Sequence, residues 1–134
     1  MQSYQARISK PFLDRMDLVV RAAQVKYELL DGKTENESSE AIRSRVEAAQ
    51  RIQKERYRRE GISYNSQLSA GQISRFCTTD REAKRLLEEA YDRMKLTGRG
   101  YVRILKTART IADLEACERI REKHISEAIC LRQR

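Results

Sequence analysis

With 134 residues, the chain has room for one domain, or one domain and an appendage, around a single modest core. Its 28 Lys and Arg against 20 Asp and Glu leave a formal charge of +8, which suits nucleic acid, nucleotide phosphates or another anionic surface without choosing among them. One Pro and five Gly among abundant Glu, Lys, Arg, Ala and Leu predict helix; no apolar run approaches the roughly 20 residues that span a bilayer and no signal-peptide core follows Met1, so a cytoplasmic chain without membrane contact is expected.

Residues 1–27 read differently from the rest of the chain. Pro11-Phe-Leu-Asp-Arg-Met-Asp-Leu18 leads into a short β-prone run, Val19 to Val25, with no second run to pair with. A lone strand leaves its N–H and C=O groups unsatisfied, so this stretch either folds onto the helices or belongs to a sheet encoded upstream. Arg15 lies between Asp14 and Asp17, where a local ion pair is the ordinary reading. Residues 28–38 form a polar linker. Gly32-Lys-Thr34 within it mimics the end of a phosphate-binding loop, but Tyr27 stands where that loop needs its first Gly, and no strand-to-helix context surrounds it.

From Ser39 the period becomes helical. Ile42, Val46, Ala49 and Ile52 or Gln53 mark the apolar side of a long helix running to about Glu60, with Gly61 as its stop. Arg51, Lys54, Arg56, Arg58 and Arg59 cluster on its remaining surface, read as a solvated face rather than a dedicated DNA-binding one. Ile62 to Leu68 is an irregular connection. Ser69-Ala-Gly-Gln72 and Thr79-Asp-Arg-Glu82 each open a helix as a capping box. In the second, Ala83, Leu86, Leu87, Ala90, Tyr91 and Met94 form a core stripe.

The stretch from Thr97 to Glu115 is two-sided. At about 100° per residue, Tyr101, Ile104, Leu105, Ala108, Ile111 and Ala112 share one face, and Arg99, Arg103 and Lys106 the other, with Arg109 at its flank. Thr97 is a fair N-cap, so Arg99 falls in the first turn, where unpaired N–H groups and the helix dipole disfavour a cation. Something negative is expected there, either a phosphate or a neighbouring carboxylate. After a break at Cys117 to Ile120, a last helix turns Ile125, Ala128 and Ile129 inward and ends near Arg132 and Arg134. Cys77, Cys117 and Cys130 are read as reduced, buried thiols, and His124 as a packed or capping side chain, since no C-x-x-C spacing or second imidazole supports zinc. Neither a nucleophile with its base nor a complete phosphate loop occurs in the chain.

Several segments, in order, resemble one family. Ser3-Tyr-Gln-Ala-Arg-Ile-Ser9, Pro11 to Leu18, Glu37-Ser-Ser-Glu-Ala-Ile-Arg43, Asn65-Ser-Gln-Leu68, Arg103-Ile-Leu-Lys-Thr-Ala-Arg-Thr-Ile-Ala-Asp-Leu-Glu115 and His124-Ile-Ser-Glu-Ala-Ile129 resemble the C-terminal part of the magnesium-chelatase-like AAA+ ATPases of the ComM/YifB competence group. The resemblance implies a mainly α chain: a helical AAA+ lid of about five helices over 39–134, preceded at 1–27 by a short extended remnant of the α/β AAA+ core. It implies that the P-loop lies upstream, that the parent uses ATP and Mg2+ in a homo-oligomeric ring, expected to be a hexamer, and that it acts on DNA by branch migration or unwinding. Arg15 matches the arginine-finger position, which reaches the γ-phosphate held by a neighbouring subunit. Arg99 matches the sensor-2 position of the lid, and Arg103, one turn on, joins it as a nucleotide-binding candidate. Lys10, Gly98 and Gly100 depart from the family's usual Gly and Ala. The fragment itself is expected neither to bind ATP tightly nor to hydrolyse it. Two other readings stay open: an autonomous basic helical nucleic-acid-binding module, and the lid of a true magnesium chelatase subunit.

Overall fold

The computed structural model describes residue 12, residues 15–20, 22 and 24, and residues 37–132. Among them are five α-helices: α1 Ser39–Arg56, α2 Ala70–Phe76, α3 Arg81–Arg93, α4 Gly98–Leu114 and α5 Glu122–Cys130. A single 3-10 turn, Asn65–Gln67, lies between α1 and α2. The mainly helical expectation therefore holds. The proposed boundaries at residues 27 and 28 and the Gly32-Lys-Thr34 triplet lie outside the described residues.

Cap chemistry decides where most of these helices begin. The Ser38 hydroxyl accepts from Ala41 N at 3.1 Å, and the Thr97 hydroxyl from Gly100 N at 3.1 Å, each relieving one of the orphan donors of a first turn. Ser69 and Gln72 form the expected reciprocal box. At α3 the cap is one residue later than Thr79: Asp80 accepts from Ala83 N at 2.8 Å. Thr79 is instead drawn into a parallel bridge with Ile120, flanked by Asp80 N to Ile120 O and Ile120 N to Thr78 O, both 2.9 Å. That bridge ties the entry of α3 to the entry of α5.

α1 stops at Arg56 rather than near Glu60. Tyr57 leaves helical geometry, and the chain turns through Glu60 to Gly61, whose φ of +70° is the left-handed conformation glycine adopts without a Cβ penalty. Both α3 and α4 end in Schellman motifs closed by residues other than glycine. Lys95 (φ 48°) and Ala116 (φ 53°) are left-handed, and Leu96 N and Cys117 N reach back to Tyr91 O and Ala112 O.

The core forms around α4. Ile104, Leu105, Ala108 and Ala112 pack with Leu87 of α3, Ile125 of α5, Tyr57 and Ile73. Tyr57 meets the Phe76 ring edge-on at 5.1 Å. Three expected core positions are displaced outward. Tyr91 is exposed and meets Tyr101 edge-on at 6.1 Å at the rim. On α1, Ala49 and Gln53 are buried, but Ile42 and Val46 are exposed, so the first turns project beyond the packed body. Among the described residues of the Val19–Val25 run none is in a strand. Val19 N instead donates to Leu131 O, 2.7 Å away, so at that residue the segment rests on the end of α5.

Candidate phosphate-binding site

The start of α4 gathers basic side chains on one side of the body. Arg99 stands exposed in the first turn, which contains no acidic residue, and its side chain has no ion pair or hydrogen bond to another described residue. The neighbouring carboxylate that would have neutralised it is therefore not realised among those residues. Arg103, one turn on, is mostly covered and pairs with Asp17 at 3.4 Å. Lys106 donates from Nζ to Ser66 O at 2.9 Å. Arg132, beyond α5, approaches the same turn: a Cβ on Gly100 would lie 3.3 Å from its Nη2, so glycine there admits the guanidinium. Asp17 turns to Arg103 of α4, which brings the segment bearing Arg15 against the helix bearing Arg99. Arg15 is itself exposed.

Not every arginine read as surface charge is one. Arg109, expected at the flank of the anion-facing side, is 1% exposed and pairs with Asp113 at 3.1 Å. Its remaining donors go to Glu118 O and Cys117 O, so it pins the loop after α4. Burial pulls its pKa down while Asp113 opposes the shift, and the guanidinium remains charged because arginine titrates far above neutrality. Arg56 likewise leaves the α1 cluster, forming a two-pronged pair with Asp113: Nη1 to Oδ2 at 2.9 Å and a short Nη2 to Oδ1 contact. There the partner outweighs partial burial and raises the pKa.

Asn65 falls in the stretch expected to be irregular connection. It is buried and accepts from Tyr57 OH (2.6 Å) while donating to Thr110 Oγ1 and Asp113 Oδ2, both 2.9 Å. Its backbone N–H donates to Gln53 Oε1 at 3.0 Å. The network joins α1, the 3-10 turn and α4 behind the basic face, and so fixes where Lys106 and Thr110 stand. Sequence periodicity carries no signal for Asn65, whereas Arg109 and Asp113 are i, i+4 partners on a helix, a spacing visible in the sequence.

His124 is the cap that was expected. Its Nδ1 accepts from Arg121 N at 2.9 Å, so the neutral ring carries its proton on Nε2, which lies 3.0 Å from Glu115 Oε2. Glu115 also takes Lys123, and those two hydrogen bonds, Lys123 first, lower its pKa. Glu115, Cys117 and His124 place ligand atoms within 4.8 Å of one another, but a cation on Nε2 would drive the ring proton onto Nδ1, against the Arg121 N–H, and would compete with Lys123. The cluster is built as a helix cap. Of the three thiols only Cys77 is buried, where desolvation raises its pKa to about 11; Cys117 is half-buried and Cys130 exposed, correcting the expectation of three buried thiols.

Residues 36–132 match the family described as magnesium chelatase, subunit ChlI C-terminal. The chain belongs to that family. It is similar to the uncharacterised protein YifB of Salmonella typhimurium, with 35% identity over 130 residues, 96% of this chain and 25% of that protein. It is similar also to the competence protein ComM of Haemophilus influenzae, with 35% identity over 127 residues, 94% of this chain and 24% of that protein. An uncharacterised protein of Mycobacterium tuberculosis shares 32% identity over 114 residues, covering 83% of this chain and 22% of its own length. The chain thus spans about a quarter of the length of the curated relatives it matches. Among the described residues no helix is long and apolar enough to cross a membrane.

Proposed function

We propose that this chain is the lid module of an AAA+ ATPase of the ComM/YifB type, which closes on ATP and Mg2+ at the interfaces of a homo-oligomeric ring, expected to be hexameric, and couples hydrolysis to movement along DNA. The observation that carries the reading is Arg99: an exposed guanidinium in the first turn of a capped helix, without a counter-charge among the described residues. Backbone N–H groups and a guanidinium together make a ready site for a γ-phosphate. Arg103 is the second nucleotide-facing candidate on the same helix. Arg15 serves as the arginine finger toward the neighbouring subunit, on a segment that rests against α4 and α5 through Asp17 and Val19. The upstream AAA+ core is the first partner, and DNA the second.

The test belongs in the full-length protein. Arg15→Ala is expected to lower kcat on the order of a thousandfold while ATP still binds. Arg99→Ala is expected to cost on the order of a hundredfold in kcat/KM. Wild-type ATPase rates in either variant would overturn the corresponding role. The chain by itself is expected to turn over no ATP. Fluorescence anisotropy of labelled single-stranded, duplex and branched DNA with this chain, across a salt series, separates the lid from an autonomous DNA-binding module: tight binding at physiological salt would favour the module and the exposed Arg51, Lys54, Arg58 and Arg59.

A further inference from the structure

We propose that the cleft between residues 17–18 and the basic face of α4 binds a small phosphoryl anion, and that Asp17 holds Arg103 until that anion displaces it. This rests on the reading of Arg103 as a phosphate ligand and is independent of the role given to Arg99. The cleft measures about 320 Å3, at the lower end for small-molecule sites, which suits a phosphoryl or pyrophosphoryl group rather than a whole nucleotide. Arg103, Lys106 and Thr107 line it from α4, Ser66 from the 3-10 turn, and Asp17 and Leu18 from the opposite side.

Its donors exceed its acceptors. Arg103 Nη1 is buried with no hydrogen-bond partner among the described residues, an arrangement that costs free energy until an acceptor arrives. Asp17 Oδ1 stands 3.4 Å from Nε, longer than a good charged hydrogen bond, and its side chain is 72% exposed. Such a pair is loose and easily exchanged. Lys106 has three donors, and Ser66 O takes one. A tetrahedral oxyanion presents several acceptors to a guanidinium and an ammonium at once, which a single carboxylate oxygen at 3.4 Å does not. Displacement has a reach. Among the described residues, the segment of Arg15 is tied to the helices by the Asp17 pair and by Val19 N to Leu131 O, so an anion in the cleft removes a tie two residues from Arg15.

The experiment is a titration of the isotopically labelled chain with pyrophosphate, followed by NMR amide shifts, with sodium chloride of matched ionic strength as the control. Saturable shifts at Ser66, Thr107 and Val19 are expected in the wild type. Asp17→Asn is expected to tighten binding about three- to tenfold, because it removes the competing and repelling carboxylate. Arg103→Gln is expected to abolish it, and Arg103→Lys to restore it in part with a retained spectrum of folded protein. Shifts centred on residues 98–100 and lost in Arg99→Gln alone would overturn the cleft while leaving the proposed role of Arg99 standing. No tightening in Asp17→Asn, an equal response to chloride, or Arg103-dependent binding of a short oligonucleotide with none of pyrophosphate would each overturn the proposal.

Discussion

Asp113 has no exposed surface on its side chain and faces two guanidiniums, those of Arg56 and Arg109, together with the Asn65 amide. Desolvating three charges is costly, and the arrangement persists because nearly every polar atom in it is satisfied. Asp113→Ala would leave Arg109 buried without its counter-charge, and a loss of about 3 kcal/mol or more is expected from urea unfolding. Arg45→Ala, which breaks an ion pair whose side chains are 58% and 46% exposed, is expected to change stability by less than about 0.5 kcal/mol in the same assay. Glu115 gives the pH dependence. Its pKa is lowered in the folded chain by Lys123 and His124, so its contribution is present above the ordinary carboxylate pKa and is lost as pH falls through the lowered value. Urea midpoints measured from pH 7 downward are expected to fall through the acid range, and Glu115→Gln to flatten that part of the slope.

Helix ends, more than helix interiors, show where this chain leaves stability unclaimed. α4 closes with Ala116 in a left-handed conformation that favours glycine, in a motif otherwise complete: Ala116 N to Asp113 O and Cys117 N to Ala112 O. Ala116→Gly is expected to stabilise the chain by roughly 1 kcal/mol, read as a rise of a few degrees in Tm, since the Cβ contact with the following carbonyl is removed. A fall in Tm would mean that glycine's added freedom in the unfolded chain outweighs the relief. The start of α4 uses glycine in two ways. Gly98 has open space around its absent Cβ, whereas Gly100 leaves room for Arg132, so the two glycines of Gly-Arg-Gly have different structural meanings although they flank the same arginine.

Among the described residues the buried apolar ones lie between Ala49 and Ile129, so the core they form lies within residues 37–132. Among the described residues, the loose pair of Asp17 with Arg103 and the bond of Val19 N to Leu131 O join residues 15–20 to it. A chain beginning at residue 37 is therefore expected to keep its far-ultraviolet helical signal and one cooperative thermal transition, with a Tm within a few degrees of the full chain. Loss of cooperativity would show that residues 1–36 supply part of the core. α1 carries the opposite asymmetry: it is anchored at Gln53, Arg56 and Tyr57 while Ile42 and Val46 project, so amide exchange is expected to be faster in its first two turns than in α4.

What the amino-acid order determined by itself was local. The apolar stripes of α4 and α5, that of α3 apart from the exposed Tyr91, and the caps at Ser69 and Thr97 follow from interactions over three or four residues, and these stand in the structure. Asp80 displaced Thr79 as a cap because Thr79 bridges to Ile120, a partner distant in the chain. The same limit explains the arginines. Helical periodicity assigns a residue to a face, but only packing decides whether another element covers that face. Arg99 and Arg109 are both cations on α4, yet one is exposed and the other sits behind Asp113 and the loop at Cys117 and Glu118. Arg56 finds Asp113 across 57 residues of chain, and Asn65 becomes the centre of the network because three elements converge on it. Burial and charge pairing are properties of that convergence, and no single segment contains them.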